Sequence, residues 1–330
     1  MPILEVNHLS KSFDVGQSLA NALSRKPAKV VRAVDDVSFA LEKGEVLALV
    51  GESGCGKTTV ARTLIGLDEP TSGEILFHGQ PVGQGRSGKP ITLKQLRQRA
   101  QIIFQDPYES LNPRSTIYDT VAEPLDVHGL AQNRAARLER VRDALNAAGL
   151  RPADDYLLRY PHELSGGQRQ RVAIAAALVL EPELLLADEP VSMLDVSIRA
   201  EILNLLNELR RTRNISIIFI THDLGTVSSL ANRLAVMYLG RIVEIGRTEE
   251  LLKNPRHPYT RALLSVVPVP NPRLRKPRQI LTGETPNPVE IPSGCRFHPR
   301  CPVARKECRS LDPKSVEISP THMAACLFVV

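Results

Sequence analysis

Residues 51–58 read Gly51-Glu52-Ser53-Gly54-Cys55-Gly56-Lys57-Thr58, the G-x-x-x-x-G-K-[ST] spacing of a loop that cradles phosphates. The apolar run Val46 to Val50 precedes it, and Thr59-Val60-Ala61-Arg62-Thr63-Leu64-Ile65, which can wind as a helix, follows it. A second set of residues suits the same chemistry. Leu184-Leu185-Leu186-Ala187-Asp188-Glu189 is an apolar strand that ends in two carboxylates, at the sheet edge where open α/β folds place their ligands. Asp188 suits Mg²⁺, directly or through water, and Glu189, one residue further out, is placed to polarise an attacking water as general base. Leu164-Ser165-Gly166-Gly167-Gln168 opens a further helix. Ser165 is a good N-cap, the glycines let backbone approach a phosphate, and free helix N–H groups attract an anion. Ile220-Thr221-His222-Asp223 closes another buried strand, and His222 is expected at the same sheet edge as Asp188 and Lys57, within donor reach of a γ-phosphate. Taken singly, an acidic pair, a Ser-Gly-Gly cap and a strand-end histidine are ordinary structural features; their company with a full phosphate loop gives them weight.

Positioning these groups requires strands that alternate with helices. Residues 3–13 read as a first strand, 14–31 as a basic surface excursion with Arg25, Lys26 and Lys29, and Val34 to Leu41 as a half-buried strand with period-two alternation. The glycines and prolines of 79–90 mark a loop, including Gly85 and Gly88, and Gln101 to Phe104 reads as a short buried strand. The pattern is helical from Asp106 to about Leu180, with Leu138, Val141, Leu145 and Ala148 on one face and Gly149 as a stop. The runs Leu184–Ala187 and Ile215–Ile220 flank a helix from Ser197 to Arg211. This order predicts a parallel sheet covered by helices. From 253 to 300 the chain is rich in proline and basic residues, including Pro255, Pro258, Pro268, Pro270 and Pro272. It reads as an extension crossing the surface into a compact cysteine-bearing knot.

The chain has 330 residues, is 42% hydrophobic and 24% charged, and carries a formal charge of +6. That composition is ordinary for a soluble protein, and the absence of tryptophan argues against a base-stacking surface for nucleic acid. The longest strongly apolar stretch, Val172 to Leu180, is far short of the ~20 residues of a membrane span. Met1-Pro2-Ile3-Leu4-Glu5 has no basic leader. A cytoplasmic protein is expected.

Four of the five cysteines, Cys295, Cys301, Cys308 and Cys326, follow the spacing C-x5-C-x6-C-x17-C. In a cytosolic chain such a cluster points to metal more than to disulfides. The spacing is wider than the tight pairs of structural zinc sites and suits four thiolates around an iron–sulfur cluster. Zinc, with His298 or His322 replacing one thiolate, is a second reading, and incidental thiols are a third.

The order GESGCGKT, Gln105, LSGGQ, LLLADE, Asp195 in SMLD, and THD resembles the ATP-binding subunit of an ABC transporter. FQDPYESLNPR at 104–114, YPHELSGGQRQR at 160–171, DEPVSMLDVS at 188–197 and NPRHPYTRALL at 254–264 are similar to its oligopeptide/dipeptide (peptide/nickel) importer branch. The resemblance implies an α/β P-loop NTPase cassette, with a parallel-sheet core, an antiparallel β subdomain and a helical subdomain at about 106–180. The cassette would span 1–252 and a cysteine-rich extension 253–330. It implies that Lys57 and the amides of Gly51, Glu52, Ser53, Gly54, Cys55 and Gly56 hold the β- and γ-phosphates, with Thr58 and Thr59 opening the helix and Thr58 on Mg²⁺. Gln105 contacts the metal or water, Glu189 is the base and His222 the switch. Ser165, Gly166, Gly167, Gln168 and Asp195 close over ATP held by a second ATPase subunit, expected to be related and non-identical. Phe13 stands where the family has a tyrosine stacking on adenine, and Met193 where alanine is usual. Some importers of this branch carry a [4Fe-4S] cluster at a four-cysteine motif. The partners implied are two membrane permease subunits and, indirectly, an extracytoplasmic solute-binding protein, at the cytoplasmic face of the inner membrane and without nucleic acid. Nickel, glutathione or another small solute is the alternative cargo. A soluble ABC ATPase of DNA repair or translation fits less well, because one phosphate loop and one LSGGQ are present and no coiled-coil insertion appears.

Overall fold

The computed structural model describes residues 1–15, 29–83, 90–131, 133–267, 279, 281 and 283–329. Arg25, Lys26, Gly85, Gly88, Pro268, Pro270 and Pro272 lie outside the described residues. Its strands are β1 (Leu4–Val15), β2 (Lys29–Leu41), β3 (Val46–Val50), β4 (Ser72–Phe77), β5 (Gln80–Pro81), β6 (Ala100–Ile103), β7 (Leu184–Asp188), β8 (Ser216–Thr221), β9 (Arg233–Tyr238), β10 (Arg241–Arg247), β11 (Val316–Ser319) and β12 (His322–Ala324). Its helices are α1 (Lys57–Leu64), α2 (Leu93–Arg99), α3 (Pro107–Ser110), α4 (Ile117–His128), α5 (Arg134–Ala147), α6 (Gly166–Leu178), α7 (Val196–Arg213), α8 (Leu224–Leu230), α9 (Thr248–Lys253) and α10 (Pro258–Ser265). Two compact units emerge: residues 1–4, 41–46 and 77–220 in one, and 5–40, 47–76 and 221–330 in the other.

In the first unit β6, β7 and β8 run parallel, with Ala100 opposite Leu184 and Leu184 opposite Ser216. Every residue of β7 and β8 is buried, which is why both read as unbroken apolar runs rather than alternating ones. Helices α4, α5 and α6 pack on one another beside this sheet. Each begins at a side-chain cap: Thr116 accepts from the Asp119 N–H, Asn133 from the Ala136 N–H, and Ser165 from the Gln168 N–H. The sequence places the strand at Gln101 to Phe104 one residue late, since Ala100 opens it and Phe104 lies beyond it, largely exposed.

In the second unit β3 pairs parallel with β9, and β9, β10, β12 and β11 continue as an antiparallel set. β2, β1 and β4 form a separate sheet. Lys29, expected in the basic excursion, already belongs to β2. The β9–β10 hairpin turns through Leu239 and Gly240, both at positive φ, the two-residue geometry that matches strand twist.

The segment after 253 departs from the expected surface crossing. Pro258 starts α10 at its first turn, and Tyr259 and His257 are buried. Tyr238, Tyr259 and Phe297 form a ring cluster, with centroids 4.7 Å, 5.2 Å and 5.3 Å apart in the three pairings. The extension therefore shares a core with β9. Beneath it Glu244 accepts from the backbone N–H groups of Arg256 at 2.6 Å and His257 at 3.0 Å, and it meets His322 Nε2 at 2.7 Å. Burial pushes His257 down to about 3; its neutral ring accepts from the Tyr259 N–H at 3.1 Å. Phe297→Ala should therefore lower stability by about 3–5 kcal/mol, read as a lowered urea midpoint of the full chain; an unchanged midpoint would show that the cluster carries no such load.

Candidate active site

The phosphate loop belongs to the second unit and connects β3 to α1. Two of its glycines are dictated by space. A Cβ at Gly51 would run into the Met237 carbonyl, and one at Gly56, held at φ 107°, into the Ala33 carbonyl. Gly54 meets nothing, and its φ of 76° is the reason for glycine there. Lys57 is buried at 5% exposure. Its ammonium donates to the carbonyls of Gly51 at 2.8 Å and Glu52 at 3.0 Å, with Cys55 Sγ at 3.8 Å. Ser53, Gly54 and Thr58 are exposed along the loop and the first turn of α1, and Thr59 is half-buried.

The loop is tied down by residues far away in sequence. The Glu52 N–H donates to the Tyr259 hydroxyl at 2.9 Å. The Glu52 carboxylate takes a two-pronged grip from Arg300, Nη1 to Oε2 at 2.6 Å and Nη2 to Oε1 at 3.0 Å, and a hydrogen bond from the Thr285 hydroxyl at 2.8 Å. Burial works to raise the Glu52 pKa, but the hydrogen bonds from Arg300 and Thr285 and the charges of Arg300 and Lys57 outweigh it and hold the carboxyl below its usual range. On the other side of the loop the Gly240 N–H donates to the Cys55 carbonyl at 2.8 Å. Glu52 was expected only as one of the loop amides; Tyr259, Thr285 and Arg300 were not expected at all. Nothing local to these residues signals their partners.

In the first unit Asp188 closes β7, 2% exposed. Glu189 follows at φ 46°, a left-handed conformation that is strained for a non-glycine residue and is found at functional sites. Its N–H donates to the Ile220 carbonyl at 2.9 Å, so the backbone is fixed by the neighbouring strand while the side chain leaves the sheet. Gln105 Nε2 donates to Glu189 Oε2 at 3.2 Å. The sequence assigns Gln105 to metal or water; the side chain it meets here is Glu189. Asp195 caps α7 without a side-chain bond and is exposed, as is Met193.

Ser165 and Gln168 form a reciprocal capping box, Ser165 N–H to Gln168 Oε1 at 3.0 Å and Gln168 N–H to Ser165 Oγ at 3.3 Å. Gly166 is half-buried, whereas Gly167 is buried and would press a Cβ into Ile198. The sequence reads both glycines as room for a phosphate; for Gly167 the close approach is to Ile198 of the same chain. In the second unit His222 is exposed just after β8. Phe13 is 37% exposed, with Lys11 Nζ 4.8 Å from its ring centroid, so one face of the expected adenine platform already carries a cation.

Cys295, Cys301, Cys308 and Cys326 all line one cavity of about 210 Å³, together with His298. All are unbridged. Burial, and next to it the mutual charges of the other three, pushes the Cys295 thiol up to about 11; Cys301 and Cys326 are raised for the same reasons. Four thiolates there require a positively charged partner. Among the described residues no group of three or more His, Cys, Asp or Glu is arranged to hold a metal ion: the thiols surround a space rather than meet at a point. His322 does not join them. It is paired with Glu244 at 2.7 Å and lies 3.6 Å from Glu250, which removes it as a substitute thiolate.

The ABC transporter profile matches residues 34–192, and that of the oligopeptide/dipeptide transporter C-terminal region matches 243–308. The oligopeptide transport ATP-binding protein AppF of Bacillus subtilis is 47% identical over 98% of this chain and 96% of its own. OppF of Escherichia coli is 48% identical over 99% and 96%. The chain belongs to the ABC transporter family. Among solved structures, cbiO1 of Clostridium perfringens, part of the ABC transporter complex cbiONQ, superposes with a TM-score of 0.63 at 31% identity, covering 77% of this chain and 91% of that one. The ATP-binding cassette MJ0796, a dimer bound to ADP and phosphate, superposes with a TM-score of 0.63 at 26% identity, covering 74% and 98%.

The two crowded glycines make the geometry of the loop 51–58 easy to break. Gly56→Ala should weaken Mg²⁺–ATP binding at least about tenfold, because the new Cβ strains a positive-φ position and displaces the Ala33 strand. Calorimetric titration of the full chain checks this, and wild-type affinity in Gly56→Ala would contradict it.

Proposed function

We propose that this chain is the ATP-binding and ATP-hydrolysing subunit of a peptide importer, coupling closure of a pair of cassettes to transport through membrane permease subunits. The observation that carries this reading is its full-length match to oligopeptide transport ATP-binding proteins. The tandem of cassette and peptide-branch C-terminal profiles supports it and favours peptide over nickel or glutathione as cargo. Residues 1–252 form the cassette, with its helical subdomain at about 106–180, and 253–330 the peptide-branch extension. No helix among the described residues is long and apolar enough to cross a membrane, so this reading assigns the membrane crossing to partner subunits, with this chain bound at their cytoplasmic face.

In this assignment Lys57 and the loop amides take the β- and γ-phosphates, exchanging the loop carbonyls for phosphate oxygens. Thr58, Asp188 and Gln105 would hold Mg²⁺, which when bound would supply charge neutralisation at the phosphates. Glu189 accepts the proton of the attacking water. Its hydrogen bond to Gln105 and its fixed, strained backbone support that role by orienting the carboxylate. His222 holds water and γ-phosphate in line. Ser165, Gly166, Gly167, Gln168 and Asp195 cover ATP on a second, non-identical cassette, and the MJ0796 cassette, a dimer bound to ADP and phosphate, supports the pairing of cassettes. The capping box presents Ser165 at a helix N-terminus, which favours an anion opposite it. ATP does work by binding the closed pair more tightly than the open one.

Glu189→Gln in the assembled transporter should cut ATP hydrolysis about 10²–10⁴-fold while ATP is still bound. Hydrolysis at the wild-type rate would end this assignment of the base, and uptake of labelled dipeptide by vesicles holding the complex tests the cargo.

The four cysteines line one cavity and are spaced more widely than the tight pairs of structural zinc sites, which favours a [4Fe-4S] cluster over zinc. The group would staple the extension, whose own core is small. Protein purified without oxygen should contain about four iron and four sulfide per chain; one zinc per chain would overturn the cluster.

A further inference from the structure

A carboxylate is an unexpected tenant of a loop built to receive polyphosphate. Glu52 occupies the second position of the phosphate loop, next to the Gly51 and Glu52 carbonyls that hold Lys57. Left alone, its charge would oppose every phosphate oxygen brought to the loop, and within roughly 8 Å that opposition is large even in a partly solvated site. The counter-charge comes from the other end of the chain. Arg300, 8% exposed, reaches both carboxylate oxygens, and Thr285 supplies a hydroxyl to one of them. A paired fork of this kind is rigid as well as neutralising.

Arg300 in turn is fixed by the cysteine module. It ends a short turn, His298–Arg300, whose His298 N–H donates to the Cys295 carbonyl at 3.0 Å, while the Cys295 N–H donates to the Cys308 carbonyl at 2.9 Å. The residue after it is Cys301. The guanidinium that neutralises the loop is therefore aimed by the same backbone that carries the four thiols.

We propose that Arg300 is a positioning residue for nucleotide binding: it cancels the charge of Glu52 at the phosphate loop and fixes that side chain in place. The inference rests on the nucleotide role proposed above for residues 51–58. It assigns to the C-terminal extension a direct share in ATP affinity, through one ion pair.

The test is Mg²⁺–ATP titration of the full chain, purified with its cysteine group intact, for wild type, Lys57→Ala, Glu52→Gln, Arg300→Met and the double variant Glu52→Gln/Arg300→Met. Arg300→Met uncovers the carboxylate and should raise Kd roughly ten- to hundredfold. Glu52→Gln is nearly isosteric and leaves Arg300 positive beside the phosphates, so it should lower Kd about three- to tenfold at low salt. The double variant should return to within about threefold of wild type, a rescue that simple loss of packing would not give. Arg300→Met with wild-type affinity, or a double variant no better than Arg300→Met, would overturn the proposal. If Arg300→Met does not fold, Glu52→Gln decides alone: weaker or unchanged binding refutes it. Wild type binding no better than Lys57→Ala would instead sink the nucleotide role itself.

Discussion

Lys57 brings an ammonium into a site with 5% exposure, and a buried cation is tolerated only where every donor finds an acceptor. The loop meets this demand with its own backbone: Gly51 and Glu52 turn their carbonyls inward onto Nζ. That inward turn is possible only because Gly51 and Gly56 have no side chains where Met237 and Ala33 pass. The Glu52 N–H and carboxylate are in turn received by Tyr259 and Arg300. Through these two residues the loop is joined to α10 and to the His298–Arg300 turn.

The extension then ceases to look like an appendage. Glu244, on β10, accepts from Arg256, His257 and His322, so one buried carboxylate fastens the entry to α10 and the strand β12 together. His257, kept neutral by burial, caps α10 and orients Tyr259. Tyr259 packs on Tyr238 and Phe297 with its ring and holds the phosphate loop with its hydroxyl. A second ion-pair group, in which Asp35 meets both Arg241 and Arg296, binds the same segment to β2.

What could be read in the sequence was what is local. The loop spacing, the apolar runs of β7 and β8, the Ser165 cap and the helix at 134–147 depend on neighbours within a few residues, and pattern exposes them. The β9–β10 hairpin was also open to reading, since two apolar runs flank Leu239-Gly240, yet its mixed Arg and Glu content hid it. The expected surface path failed at His257, Pro258, Tyr259, Arg296 and Arg300 for a different reason. Proline and basic residues are usual on surfaces, but here Pro258 starts a helix and Arg296 and Arg300 are buried against carboxylates contributed by β2 and the phosphate loop. Pairings across such separations leave no trace in composition or periodicity. His322 shows the same limit from the other side, since its partner Glu244 is named by the fold and by nothing near it in the chain.

The Glu52–Arg300 contact joins residues 248 positions apart. During synthesis Glu52 emerges well before Arg300, and the loop 51–58 lacks this restraint until then. Contacts of such long sequence separation are slow to form, so a chain cut before Arg300 keeps the loop 51–58 without the ion pair that holds the Glu52 carboxylate.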